Sequence, residues 1–481
     1  MAIGASTVWR VRVGGSDLNG AGFDSTVSGA GTDYTQQDSP QLSLTDLTST
    51  NSTTITSATG GFTSAMIGNL LRISSGTGAT TGYYVVTTRV DTNTITVDRV
   101  SGTYTAGVGR IGGGAATLAR ILTVGNATGD KVVPGNVIYV RGAGSDDPTS
   151  ADYTYTASIA PVSGTIAAYV KIIGENGRPR FDGSGQTLFL AGFDKTHVWL
   201  ENLMVKSGND GGVFFRVVDI ATDCVLKNVV CHTNDLDCDF VRTYGYGARF
   251  ISCKFTSHET SPTTRSGRAA IKVLTASSAS VKGCTFIRCG GNGVLCQAQV
   301  GLWADRNIII GCKQHGVLLE ATTNTNFMSQ IFGNVIDGNT LDGINIADGS
   351  TLSLFQIISN LITNHSQASR YGIRVVSGTV AANDLFKIED YNGFYGNTTD
   401  VGGISKGSND VTCSADPYAS VGTDYTLNST AGGGAALKDA GFPQSPPGLS
   451  GTAIYQPIGF LAAPAGGGML VARGFSGGFP G

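Results

Sequence analysis

The stretch NIIIGCKQHGVLLE (307–320) is followed by NVIDGNTLDGINIAD (334–348) and NLITNHSQASRYGIRVV (360–376), and reading the three as one repeated phrase decides the fold. Each opens on Asn and places an apolar residue two positions later: Ile309, Ile336 and Ile362. Each continues to a Gly followed by a β-branched residue: Gly316-Val317, Gly343-Ile344 and Gly372-Ile373. The phrase extends outward in both directions. Its opening position reads Asn202, Asn228, Cys253, Cys284, Asn307, Asn334, Asn360 and Asn392, a mean period of about 27 residues. Period-2 patterning with β-branched residues predicts short strands, and no repeat holds a helix-length amphipathic segment.

Short strands separated by Asn- and Gly-rich corners predict a parallel β-helix, in which stacking buries a core that no unit could bury alone. Coils stack about 4.8 Å apart. The Asn column is then expected to form an amide ladder, each side chain accepting from one neighbour and donating to the other. Cys253 and Cys284 would replace the amide by a small buried thiol. Turn propensity is the simpler account of an Asn at a corner. Eight positions in one apparent register favour the ladder.

With the repeat in view, residues 115–400 resemble the right-handed parallel β-helix, or pectate-lyase-like, superfamily. AATLARILTV (115–124) resembles the short helix that caps such solenoids, and KVVPGNVIYVRG (131–142) resembles a first coil. The expected organisation is all-β: an N-terminal β-rich attachment domain (1–114), the parallel β-helix (115–400) and a Gly/Pro-rich C-terminal extension and arm (401–481). Within the first part, Thr53–Val100 reads as a small antiparallel β-domain with a hairpin connection at Asp91–Asn93. Three stretches resemble β-helix proteins of tailed phages: VWRVRVGGSDLNGAGFDS (8–25), GFTSAMIGNLLRISSGTGATTGYYVV (61–86) and DYTLNSTAGGGAALKDAGFP (424–443). That resemblance implies a virion component, either a tailspike-like adhesin or a head decoration, assembled in the host cytoplasm.

Composition supports corner-rich β structure. Gly is 69 of 481 residues, about twice the usual share, and charged residues are only 14 %. A net charge of −3 gives no basic field for nucleic acid. The opening MAIGASTVWRVRV lacks the pattern of a signal peptide, and no apolar run reaches the ~20 residues that span a membrane. Eight of the nine Cys fall between 224 and 312, inside the apolar coils, which suits buried thiols. Without a C-x-x-C pair, no metal site or cofactor is expected.

The densest acidic run is Asn234-Asp-Leu-Asp-Cys-Asp239. On a strand, Asp235, Asp237 and Asp239 would share one face. Glu259 one coil later and Asp210 one coil earlier would extend it, with Arg242 and Arg249 as nearby cations. Clustered carboxylates can serve as a general acid/base pair or bind Ca²⁺, but Asp is also a favoured corner residue. Asn292, His315 and Asp342 each precede the repeating Gly and predict a stacked polar edge able to hydrogen-bond a glycan. Three functions follow. The first is a virion surface protein, a homo-oligomer with trimer as the leading expectation, joined to other virion proteins through its terminal segments and binding host surface polysaccharide. The second is a polysaccharide-cleaving tailspike enzyme, and the third a carbohydrate-active β-helix protein unrelated to phage.

Overall fold

The computed structural model describes residues 3–123, 132–144, 151–155, 162–182, 189–190, 196–207, 215–220, 222–233, 238–243, 245–257, 264, 267–274, 277–297, 301–320, 328–347, 354–376, 383–384, 387–443 and 458–459. Their strands form three long sheets of 13, 11 and 9 members, one closed six-stranded barrel and a two-stranded hairpin. Each coil lays one strand in each long sheet. Gly301–Asp305 lies in the first, Ile308–Ile310 in the second and Val317–Leu319 in the third; Met328–Phe332, Val335–Asp337 and Ile344–Ile346 repeat the path one coil on. All these successive strands pair in parallel. This is a parallel β-helix.

Its core follows from the alternation of side chains across a strand. Phe286, Ile309, Ile336 and Ile362 pair in register and are fully buried. The column continues back through Phe255 and Cys231, and forward to Phe394.

The corner between the first and second sheets uses two residues. One has left-handed φ: Ser252, Gly283, Arg306, Gly333, Ser359 and Tyr391 in successive coils. The next points inward: Cys253, Cys284, Asn307, Asn334, Asn360 and Asn392, all essentially buried. Asn202 and Asn228 break from the expected single column of eight. Lys227 pairs with Ile251, so Asn228 stands opposite Ser252, one position earlier in the corner. Both Asn adopt left-handed φ themselves, 57° and 52°. Asn tolerates that conformation better than most residues. Leu203 and Val229 fill the inward position in their coils, and Met204 consequently lies on the outer side of its strand, paired with Val230, which in turn pairs with Lys254.

Asn228 Nδ2 donates to Asn202 Oδ1 at 3.0 Å within that displaced pair, and the remaining amides form a ladder of their own. Asn307 Nδ2 donates to Asn334 Oδ1 (2.9 Å), Asn334 Nδ2 to Asn360 Oδ1 (2.9 Å) and Asn360 Nδ2 to Asn392 Oδ1 (3.0 Å). Each Oδ1 also accepts the backbone N–H of the preceding member. Cys284 Sγ takes that role for Cys253 N at 3.4 Å. The eight cysteines whose surroundings are described are all buried.

The corner between the second and third sheets repeats the device. Arg288, Gly311, Gly338, Asn364 and Gly396 take left-handed φ. Cys289, Cys312, Asn339, His365 and Asn397 follow them. Asn339 bonds His365 at 3.3 Å, and Asn397 Oδ1 accepts the His365 backbone N–H at 3.1 Å.

The ends depart from the expected divisions. Thr7–Arg12 pairs in parallel with Val137–Arg141, so it is a rung of the first sheet and not part of a separate domain. Residues 42–111 alone build the antiparallel barrel, with its own core around Leu47, Ile73, Tyr84 and Ile95. The connection at Asp91–Asn93 joins Gly82–Arg89 to Thr94–Val97, which pair antiparallel. Tyr83 turns out of the barrel onto Trp9, edge to face at 5.3 Å, and so joins the solenoid core. The helix Leu118–Thr123 buries Leu118 and Ile121 in that same core.

At the other end the coils continue past residue 400, through Thr399–Gly402 in the third sheet and Val411–Thr412 in the second. The chain then folds back over the outer face of the second sheet. Tyr418, Tyr425, Leu427, Leu437 and Ile458 pack on Val335 and Leu361 as a second core. Residues 444–457 and 460–481 of the expected arm lie outside the described residues.

Candidate functional site

Two places gather chemistry-bearing side chains: the corner leading into the third sheet, and the outer face of the first. At the corner, strand register places Asp239, Ala269, Asn292, His315, Asp342 and Tyr371 in one column, because Val241, Ile271, Val294, Val317, Ile344 and Ile373 pair in sequence two positions later. The acidic run and the Asn/His/Asp edge, separate in the sequence, therefore meet. Each polar side chain accepts the backbone N–H of the next coil. Asp239 Oδ1 accepts Ala269 N (2.8 Å), Asn292 Oδ1 accepts His315 N (3.1 Å), His315 Nδ1 accepts Asp342 N (3.2 Å) and Asp342 Oδ1 accepts Tyr371 N (3.0 Å). Ala269 breaks the run, and Asn292 N bonds the Arg268 carbonyl instead.

This column is an internal ladder rather than an exposed ridge. Asp239, Asn292 and Asp342 are fully buried. Asp342 also accepts from Asn345 (2.6 Å) and lies 3.4 Å from His315. Burial pulls the His315 pKa down to about 4 against the opposing charge of Asp342, so the ring is neutral and its Nδ1 is an acceptor at neutral pH. Asp239 is held by Arg242 at 2.6 Å, with Arg268 at 3.9 Å. Its lone pairs are spent on these partners, which leaves it poorly placed to meet a glycan. Asp210, Asp235, Asp237, His258 and Glu259 lie outside the described residues. Among the described residues, no group of three His, Cys, Asp or Glu is arranged to hold a metal ion, and no helix is long and apolar enough to cross a membrane.

One charged pair escaped the sequence reading. Asn392 N donates to Asp410 Oδ1 (2.7 Å) and Asn392 Nδ2 to Glu389 Oε1 (2.9 Å). Gly407 N donates to both carboxyls, at 2.8 and 2.9 Å. The pair closes the Asn ladder, with Asp410 opposite Asn392 as the register of Gly393 and Val411 requires. Burial and the neighbouring Asp410 push the Glu389 pKa up to about 9, and burial raises Asp410 as well. One proton shared by the two is the arrangement this implies. The signal available in the sequence was Asp410-Val-Thr standing where the next coil's ladder phrase belongs, after a corner shortened to 18 residues.

The outer face of the first sheet is different. Lys171, Trp199, Val225, Arg249, Ser280, Trp303, Gln330 and Gln356 form one outward column in continuous register. Trp303 is 48 % exposed. Gln330 donates to Gln356 at 3.0 Å. Trp199 is half-buried, its Nε1 fixed on Glu201 at 2.9 Å, with Tyr169 perpendicular to it at 6.1 Å.

The family described as "Right handed beta helix region" matches residues 195–386. The solenoid is a right-handed β-helix. No curated protein matches the chain. Among solved structures, the chain is similar to the A-module of a mannuronan C-5 epimerase from Azotobacter vinelandii, at 13 % identity over 57 % of this chain and 90 % of that one, with a TM-score of 0.28. It is also similar to the catalytic unit of a GH87 alpha-1,3-glucanase from Streptomyces thermodiastaticus, at 12 % identity over 70 % and 81 % of the two chains, with a TM-score of 0.30. At scores this low neither likeness bears on what the present chain does.

Proposed function

We propose that this right-handed β-helix is a structural and adhesive protein of a tailed-phage particle, and that it presents the outer face of its first sheet to host surface glycan. The observation that carries the adhesive part is the outward column from Trp199 to Trp303. Four rung steps separate the two indoles, about 19 Å at ~4.8 Å each. Ser280, Gln330 and Gln356 stand in register between or beyond them. Two aromatic side chains with a hydroxyl between them and amides beyond suit a sugar chain, whose rings offer a C–H face for stacking and hydroxyls for hydrogen bonds. The particle setting rests on the three resembling stretches quoted above. A homo-oligomer, trimer first, joined to other virion proteins through its terminal segments, is part of the same proposal.

The test is to incubate the purified protein with host surface polysaccharide and measure retention and new reducing ends together. Retention that falls about tenfold in Trp303→Ala, with no new chain ends, is the expected result. Steady release of reducing ends or unsaturated sugars would replace this reading by the depolymerising enzyme.

A further inference from the structure

We propose that the part of the first sheet's outer face between Tyr169 and Arg249 binds an acidic polysaccharide; this rests on the glycan-binding reading above and assigns its ligand class. The argument begins with charge. The chain as a whole carries −3, yet Lys171 and Lys227 converge on the Trp199 indole and Arg249 on the neighbouring Tyr169. Lys171 Nζ lies 5.6 Å and Lys227 Nζ 5.9 Å from the Trp199 ring centre. Arg249 donates to Tyr169 Oη at 2.8 Å and its guanidinium sits 5.9 Å from that ring.

The nearby carboxylates are already occupied. Glu201 holds Lys227 at 2.8 Å and the Trp199 N–H, and Asp223 faces His197 at 3.5 Å. Among the described residues, no carboxylate pairs with Lys171 or Arg249. Aromatic stacking alone would explain cations over rings. It does not explain an exposed Arg249 three rungs from Lys171 in the same column with no carboxylate between them. The two residues are anchored about 14 Å apart along the column, with the Tyr169 and Trp199 rings between their charged ends. Between them half-buried Trp199 and Tyr169 offer the aromatic surface. A polymer with repeated carboxylate, phosphate or sulfate groups and sugar rings between them satisfies both features. A neutral glycan would leave the cations unused.

The experiment is affinity electrophoresis of the full chain through gels containing hyaluronate, polygalacturonate or uncharged dextran, at low and high salt. The parent is compared with a Lys171→Gln/Arg249→Gln double variant and with Trp199→Ala, each checked for an unchanged thermal melt. The expected result is retention by at least one acidic polymer, weakened by salt, reduced about tenfold or more in the double variant, and none by dextran. Equal retention of parent and double variant overturns the proposal. Trp199-dependent retention by dextran without any by the acidic polymers overturns the charge assignment while leaving the glycan-binding function standing. Absence of retention by all three, together with no binding to host polysaccharide, sinks both.

Discussion

A ladder residue does more than favour a corner. The Asn334 side chain accepts from Asn307, donates to Asn360 and donates to the Ala304 carbonyl at 3.1 Å, all out of contact with water. Asn334→Ala strands buried donors and acceptors on three strands. A loss on the order of 3 kcal/mol in a denaturant titration is expected. The carboxyl pair at the end of the ladder links stability to pH with a definite sign. Glu389 holds its proton in the folded chain up to about pH 9, whereas an unfolded Glu releases it near its ordinary value of 4.5. Its stabilising contribution is therefore complete below that ordinary value and declines as pH rises toward 9. Glu389→Gln keeps a donor toward Asp410 and an acceptor for Asn392. It should flatten the fall in melting temperature between pH 5 and 9 and melt above the parent at pH 8; a variant that tracks the parent at every pH would refute the shared proton. His315 acts in the opposite direction, losing its contribution as pH falls below about 6.5 toward 4. At this scale the sequence was half legible. Residue type identified Asn as a corner residue throughout, but Asn202 and Asn228 sit at the left-handed position and bond each other there (3.0 Å), whereas Asn307 to Asn392 bond inside the core, and type alone does not separate the two positions.

At the scale of elements, the period made the coils readable and left the additions to them unreadable. Gly-Val and Gly-Ile marks located the third-sheet strands because the Gly has no room for a side chain: a Cβ on Gly316 would stand 2.6 Å from the Gly343 carbonyl oxygen. Asp239 and Asn292 belong to one column, yet coils of unequal length hide that alignment until the strands are paired. The terminal segments were harder still. VWRVRV reads as a strand, but nothing local says that its partner lies at Val137–Arg141, more than a hundred residues away. The polar, Gly-rich run after residue 411 gave no sign that it covers Val335 and Leu361, since those outward apolar residues look like ordinary members of their strands. That cover depends on few anchors. Leu437 is fully buried in it, and its carbonyl accepts Ile458 N at 2.9 Å. Leu437→Ala should cost about 3 kcal/mol within the cover. Hydrogen exchange should quicken for residues 411–443 while the protection of residues 278–346 stays as in the parent. Equal loosening of both would show that cover and coils unfold together.

For the whole molecule, contacts run almost wholly between successive coils, so stability accumulates coil by coil. The barrel and the helix Leu118–Thr123 close the N-terminal end; Asp410 and Glu389 cap the Asn ladder at the other, and the folded-back segment covers the outer face of the second sheet. In the proposed particle, joining would fall to surfaces outside the solenoid's own pairing, with the Phe- and Leu-bearing residues beyond 459 as the proposed anchors. Deleting residues 464–481 should leave the melt unchanged and lower the number of copies per purified virion. Parental copy number in the truncated form would show the segment to be dispensable. The ladders also carry a mechanical implication. Hydrogen bonds of all three sheets run from coil to coil along the axis, so a pull on the two ends loads every rung in series, and such a rod parts at its softest joint. Among the described coils from Cys253 onward, side-chain bonding is thinnest at one joint. There Cys253 and Cys284 replace an amide pair by a 3.4 Å contact to sulfur, and one corner away, at Ala269, the third column has no side-chain acceptor, the Arg268 carbonyl taking both Asn292 N–H groups. Under tension, the split is expected between the coils of Cys253 and Cys284.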